Sequence, residues 1–114
     1  MSIESNILDI VKMFIGECEV DYVGLWAILW EISRSFPEYN AAQSRETTLF
    51  VVDLMLNSGK VVIGDFDRMG HFVAWPVGNF SALERLRKAW DALEHEPDIG
   101  DLCWFTSMET IRTA

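Results

Sequence analysis

The sequence predicts one α+β domain over residues 1–114, and three observations predict it. Apolar residues recur at helical spacing in four segments, two strand-like apolar runs flank a polar turn containing glycine, and no linker, repeat or low-complexity stretch divides the chain. A length of 114 residues, 50% of them apolar and including seven Phe and five Trp, suffices to bury a single core. Seven Gly and three Pro are too few for fibrous or disordered material.

The first helix is predicted over 3–15. Ile3, Ile7, Ile10, Val11 and Phe14 share one face, Asp9 and Lys12 fall between them, and Gly16 ends the run. After Glu17-Cys18-Glu19, Asp21 is placed to cap a second helix through Tyr22, Leu25, Trp26, Leu29, Ile32 and Ser33, which Phe36-Pro37 stops. Residues 38–44 read as a loop in which Ser44 caps a third helix through Leu49, Val52, Met55 and Leu56. Asn57-Ser58-Gly59 tolerates the left-handed ending of that helix. Lys60–Asp65 and His71–Trp75, joined by Asp67-Arg68-Met69-Gly70, predict a hairpin within 60–75. Ser81-Ala82-Leu83-Glu84 has the spacing of a capping box, and the stripe Leu83, Leu86, Trp90, Leu93 places a fourth helix over 82–94. A polar turn over 96–100 leads to Leu102-Cys103-Trp104-Phe105, an apolar strand beside the hairpin, and residues 107–114 form a helical turn or frayed tail. The expected architecture is four helices with a small antiparallel sheet, made of hairpin 60–75 plus strand 102–105.

Two helices followed by a hairpin give the order of a winged helix, in which the helix before the hairpin reads DNA. The charges argue against that use. The segment 44–56 sets Arg45 against Glu46 and Asp53, and the hairpin sets Lys60 and Arg68 against Asp65 and Asp67. Nine Lys plus Arg against 18 Asp plus Glu leave a net charge of −9, so the cations needed for several phosphate contacts cannot gather on one face. Anionic lipid is disfavoured for the same reason, and a cationic partner is favoured. The most apolar window, Tyr22–Trp30, is closed by Asp21 and Glu31 and falls short of the roughly 20 residues that span a bilayer. No basic segment precedes an apolar run at the start, so a cytoplasmic protein is expected.

The stretch from Thr48 to Phe105 resembles small bacterial immunity proteins of contact-dependent growth inhibition systems. The resemblance lies in the helix ending Leu56-Asn57-Ser58-Gly59-Lys60-Val61, the hairpin closing in Trp75-Pro76, the Leu83-Glu84-Arg85-Leu86 helix carrying Trp90, and the final Gly100-Asp101-Leu102-Cys103-Trp104-Phe105. It implies a cytosolic, non-enzymatic inhibitor paired with the C-terminal domain of one cognate toxin. It carries no toxin-binding residue over by motif. The net acidity agrees with a basic, nuclease-type toxin, because opposite charges steer encounter.

Chemistry-bearing residues are sparse. Cys18 and Cys103 stand far apart with no CxxC and no nearby His, the pattern of buried reduced thiols rather than of a disulfide or zinc site. Asp65-Phe66-Asp67 has the form of a metal-binding D-x-D but lacks further oxygen ligands nearby, and reads as solvated acids at the hairpin mouth. His71 and His95 neighbour no nucleophile. Trp26 and Trp30 share a helical face, but with Leu25 and Leu29 beside them they read as core, as do Trp75, Trp90 and Trp104. Glu84 with Lys88 and Arg87 with Asp91 have the spacing of surface pairs within the fourth helix. Two acidic clusters remain: Glu17, Glu19 and Asp21, and Asp91, Glu94, Glu96, Asp98 and Asp101. Like charges so close repel, and a basic partner would relieve them, so both are candidate toxin-binding surfaces. Any rim-exposed Trp or Phe would supply most of the affinity. No cofactor, metal or catalytic residue is expected.

Overall fold

The computed structural model describes the backbone of residues 3–113 and the side chains of residues 6–111, so the side chain of Ile3 and residue Ala114 lie outside the described residues. The chain forms α1 (Ile3–Cys18), β1 (Val23–Gly24), α2 (Leu25–Ser35), α3 (Ala41–Asn57), β2 (Val61–Phe66), β3 (Phe72–Ala74), α4 (Asn79–Ala92), β4 (Trp104–Ser107) and α5 (Met108–Thr113). The α+β class of the sequence reading holds. The helix count is five rather than four, and the sheet has four antiparallel strands in the order β1-β4-β2-β3.

The helices form where the apolar period says they should, but tertiary bonds move several ends. α1 runs past Gly16 because Cys18 continues the stripe of Ile7, Ile10, Val11 and Phe14 into the core. Asp21 caps no helix, since its carboxylate accepts the N–H of adjacent Tyr22 (2.7 Å). The next two residues pair with β4 instead, Val23 opposite Phe105 and Gly24 opposite Trp104, and Leu25 N–H donates to the Cys103 carbonyl (3.2 Å). Strand pairing thus does the work of a cap, and α2 starts at Leu25 with Leu25, Ile28, Leu29 and Ile32 buried.

α3 begins earlier than expected, at Ala41. Asn40 Oδ1 accepts the Gln43 N–H (2.8 Å) and Gln43 Oε1 accepts the Asn40 N–H (2.9 Å), a reciprocal cap that leaves Ser44 buried inside the first turn. α4 likewise starts at Asn79 with Gly78 at its cap. Ser81 lies inside the helix, and Asn79 Nδ2 donates to the Leu56 carbonyl (3.2 Å), tying the start of α4 to the end of α3. The anticipated strand 102–105 shifts to 104–107 because Leu102 adopts φ 72°, a left-handed conformation no strand sustains. Ser107 Oγ then accepts the Thr110 N–H (3.1 Å) and opens α5, the fifth helix.

The register puts Val23, Phe105 and Ile63 in one row across β1, β4 and β2, all buried against the helices. Alternation sends the neighbouring row, Gly24, Trp104, Gly64 and Ala74, to the opposite face of the sheet. That outer face positions the candidate site. Among the described residues no helix is long and apolar enough to cross a membrane.

Candidate functional site

The outer face of the sheet is aromatic. Tyr22, one residue before β1, points the same way as Gly24; its ring lies 4.9 Å from Phe66 and 5.5 Å from Phe72, and Phe66 lies 5.4 Å from Trp104. Glycine makes the arrangement possible. A Cβ on Gly24 would come within 3.3 Å of the Trp104 ring, and one on Gly64 within 2.8 Å of Phe72 Cζ, so the Trp104 ring lies over Gly24 and the tip of the Phe72 ring reaches over Gly64. From the start of α2, Trp26 and Trp30 continue the aromatic surface with ring centroids 6.5 Å apart. Tyr22 (37%) and Trp30 (53%) are exposed, and Phe66, Phe72, Trp104 and Trp26 are half-buried.

Trp26 and Trp104 therefore do not belong to the closed core that the sequence predicts for them, and Trp30 is a surface residue. Trp75 and Trp90 are buried as anticipated. The reason is angular: α2 turns Leu25, Ile28, Leu29 and Ile32 inward, and an intervening face carries Trp26 and Trp30 outward. The sequence does hold one signal for Trp104. It alternates with Phe105, so once Phe105 is core, Trp104 must face away.

At one end of this face lies a hollow of about 250 Å³ lined by Tyr22, Trp26, Trp104, Gly24, Gly100, exposed Ile99 and Glu17. Of the two acidic clusters it takes in Glu17 alone. Glu17 comes from the end of α1 and meets Ile99 and Gly100 of the loop that bears Asp98 and Asp101, whereas Glu19 lines a separate hollow with Lys60 and Glu109. Among the described residues no ion pair or side-chain hydrogen bond engages Glu17 or Glu19.

The second cluster divides. Asp98 and Asp101 hold their own loop: Asp101 Oδ2 accepts the Asp98 N–H (2.9 Å) and Asp98 Oδ1 accepts the Ile99 N–H (2.7 Å). His95 Nδ1 lies 2.8 Å from the Glu96 carbonyl oxygen, which only accepts, so that nitrogen carries the proton; Asp101 Oδ2 is 3.8 Å away. Asp91 is paired with Arg45 (2.6 Å), whose guanidinium sits 5.5 Å over Trp90. Together with Glu94, Glu96 and Ala41 they line a separate hollow of about 490 Å³. Arg87 reaches Glu46 of α3 (2.9 Å) rather than Asp91, so charge pairs join α3 to α4 where the sequence suggested a pair within one helix.

The remaining candidates have structural duties. Asp65 Oδ2 accepts the Trp75 indole N–H (2.7 Å) with Arg85 3.7 Å away, whereas Asp67 Oδ1 accepts the Met69 and His71 N–H groups (2.9 Å each) and closes the hairpin turn. Those backbone bonds, that from His71 foremost, hold the Asp67 carboxyl below its ordinary value. The two acids serve different partners and do not converge as a D-x-D pair. Burial pushes the Cys18 thiol up to about 12, aided by Glu17, and Cys103 lies well above its ordinary value, again chiefly from burial.

Compared with protein-family models, curated proteins and solved structures, the chain finds no match.

Proposed function

We propose that this chain is a cytoplasmic immunity protein that binds and neutralises the C-terminal domain of a cognate bacterial toxin, a basic one of the nuclease type, with no chemistry of its own. The observation that carries the reading is a partly exposed aromatic sheet face, Tyr22, Phe66, Phe72 and Trp104, with Glu17, which has no ion pair among the described residues, beside Tyr22 and Trp104 in a chain of net charge −9. Each part has a physical role in such a complex. Desolvated aromatic side chains supply affinity, and a one-signed field raises the rate of encounter with a cationic partner. The resemblance over Thr48–Phe105 supports the same reading.

We read the frame as winged-helix-like, since α2 and α3 precede the β2–β3 hairpin, with β4 and β1 extending the sheet. α3 then holds the place of the recognition helix. Its one basic residue, Arg45, is committed to Asp91 and Trp90, which supports a protein partner over nucleic acid.

The test is co-production with the basic C-terminal domain of the large secreted protein encoded beside this chain. Restored growth supports the proposal. Absence of such a neighbour, or growth arrest despite co-production, overturns it. The hollow of about 490 Å³ between α3 and α4 favours a second reading, a winged-helix-derived regulator that binds protein or a small ligand. That reading survives where protection fails and random duplex DNA at low salt is not retarded.

A further inference from the structure

Three of the five tryptophans share one arrangement. Arg34 lies 5.7 Å over Trp30 and pairs with Glu31; Arg45 lies 5.5 Å over Trp90 and pairs with Asp91; Arg85 lies 4.1 Å over Trp75, with Asp65 3.7 Å from the guanidinium. In each case a planar cation rests on an indole face while a carboxylate holds its edge, a geometry that joins cation–π attraction to charge pairing. Trp26 and Trp104 are the other two. Both wall the same hollow, Tyr22 adds a third ring, and Glu17 lines it, yet among the described residues no arginine lies over either indole and no cation pairs with Glu17. The hollow therefore holds two elements of the arrangement, aromatic faces and a carboxylate, without the third.

We infer that this hollow is a cage for one arginine side chain of a basic partner segment, with the guanidinium seated on Trp26 and Trp104 and paired with Glu17. A space of about 250 Å³ accommodates a single long side chain rather than an element of secondary structure. Exposed Ile99 in the lining (70%) offers the arginine's methylene stem an apolar edge. Glu17 is the acidic residue in the lining, and with a net charge of −9 on the chain it selects against an anionic occupant. This inference deepens the toxin-binding reading and rests on it, since it names the residue by which a basic toxin domain would be gripped.

The experiment titrates the folded chain with the blocked tripeptide acetyl-Gly-Arg-Gly-amide, following the five tryptophan indole N–H signals by NMR. The citrulline tripeptide serves as a neutral isostere. The cage requires a saturable shift of the Trp26 and Trp104 signals, with a dissociation constant on the order of millimolar. The citrulline peptide should bind about fivefold more weakly, and Glu17→Gln should weaken the arginine peptide about two- to fivefold while leaving the chain folded. No saturable shift, equal binding of both peptides, or shifts spread over all five indoles overturns the cage. Growth protection by the wild-type chain without any peptide shift overturns the cage alone. An arginine-selective shift without protection supports the cage and counts against the toxin reading.

Discussion

Gly64→Ala should damage this protein more than any other single methyl group added to the sheet. Gly64 lies opposite Ala74 on β3 and Trp104 on β4, so its site is bounded on both sides. A Cβ there would stand inside the contact distance of the Val73 carbonyl oxygen, 2.8 Å from Phe72 Cζ and 2.9 Å from Ala74 Cα. The Phe72 ring can swing aside, but the Val73 oxygen and the Ala74 Cα are backbone. Relief therefore means opening the pairings Gly64–Ala74, Asp65–Val73 and Phe66–Phe72. Overpacking of this kind costs about 1–3 kcal/mol, and each ladder hydrogen bond lost adds about 1 kcal/mol. A loss of about 3 kcal/mol follows, which lowers Tm by roughly 10–15 °C in a domain of this size. Gly24→Ala is the internal comparison: the nearest atoms to its new methyl are all in the Trp104 ring, at 3.3 Å and beyond, which can tilt, so the cost should stay below about 1 kcal/mol. Urea unfolding followed by tryptophan fluorescence measures both. A Gly64→Ala variant within about 0.5 kcal/mol of wild type, or a Gly24→Ala variant that suffers more, would refute the account of how the aromatic rings lie on the sheet.

Other expectations concern buried and titrating groups. Thr48 is fully buried and its hydroxyl has no hydrogen-bond partner among the described residues. Thr48→Val keeps the shape and should therefore raise unfolding stability by about 1 kcal/mol, with a decrease counting against it. Cys18, its thiol pushed up to about 12, and Cys103, well above its ordinary value, are both buried and should resist a thiol reagent at pH 8 in the native protein. Both should react in guanidinium; fast native labelling of either contradicts the packing of α1 or of the residue that leads into β4. The Asp67 carboxyl is held below 3.8 in the folded chain, so its support of the hairpin is complete above that pH and fades as pH falls through the lowered value. Exchange of the Met69 and His71 amides should rise over that acidic window in wild type and be raised at neutral pH in Asp67→Ala.

Much of the fold can be read from the residues, and the exceptions have physical causes. The stripes of α1 and α4 and the hairpin around Asp67–Gly70 follow local periodicity and turn chemistry, which need no tertiary information. β1 is illegible because two residues, Val23 and Gly24, carry no period; only pairing with Phe105 and Trp104, far along the chain, makes them a strand. The start of α3 was encoded, but in Asn40 and Gln43 rather than Ser44, since amide side chains can form the same reciprocal cap as a hydroxyl and a carboxylate. The site was half legible. The acidic clusters stand out as charge, whereas the aromatic face depends on which way each Trp turns: Trp26 and Trp30 share a helix with the core stripe yet point off it, and Trp104 faces outward because Phe105, next to it on β4, is the residue that the helices bury. Asp91 looked equivalent to its neighbours until α3 brought Arg45 against it.

The most direct measurement of the central claim is the association rate of this chain with the neighbouring basic toxin domain, by stopped flow, for wild type and for the combined Glu17→Lys, Glu19→Lys and Glu96→Lys variant. None of these three carboxylates holds an ion pair or side-chain hydrogen bond among the described residues, so the fold should tolerate their reversal. Steering by the two acidic clusters requires association to slow about tenfold or more near 20 mM salt, and the difference to shrink above roughly 200 mM as screening removes the steering. Equal rates at low salt, or a difference that persists unchanged at high salt, would contradict it.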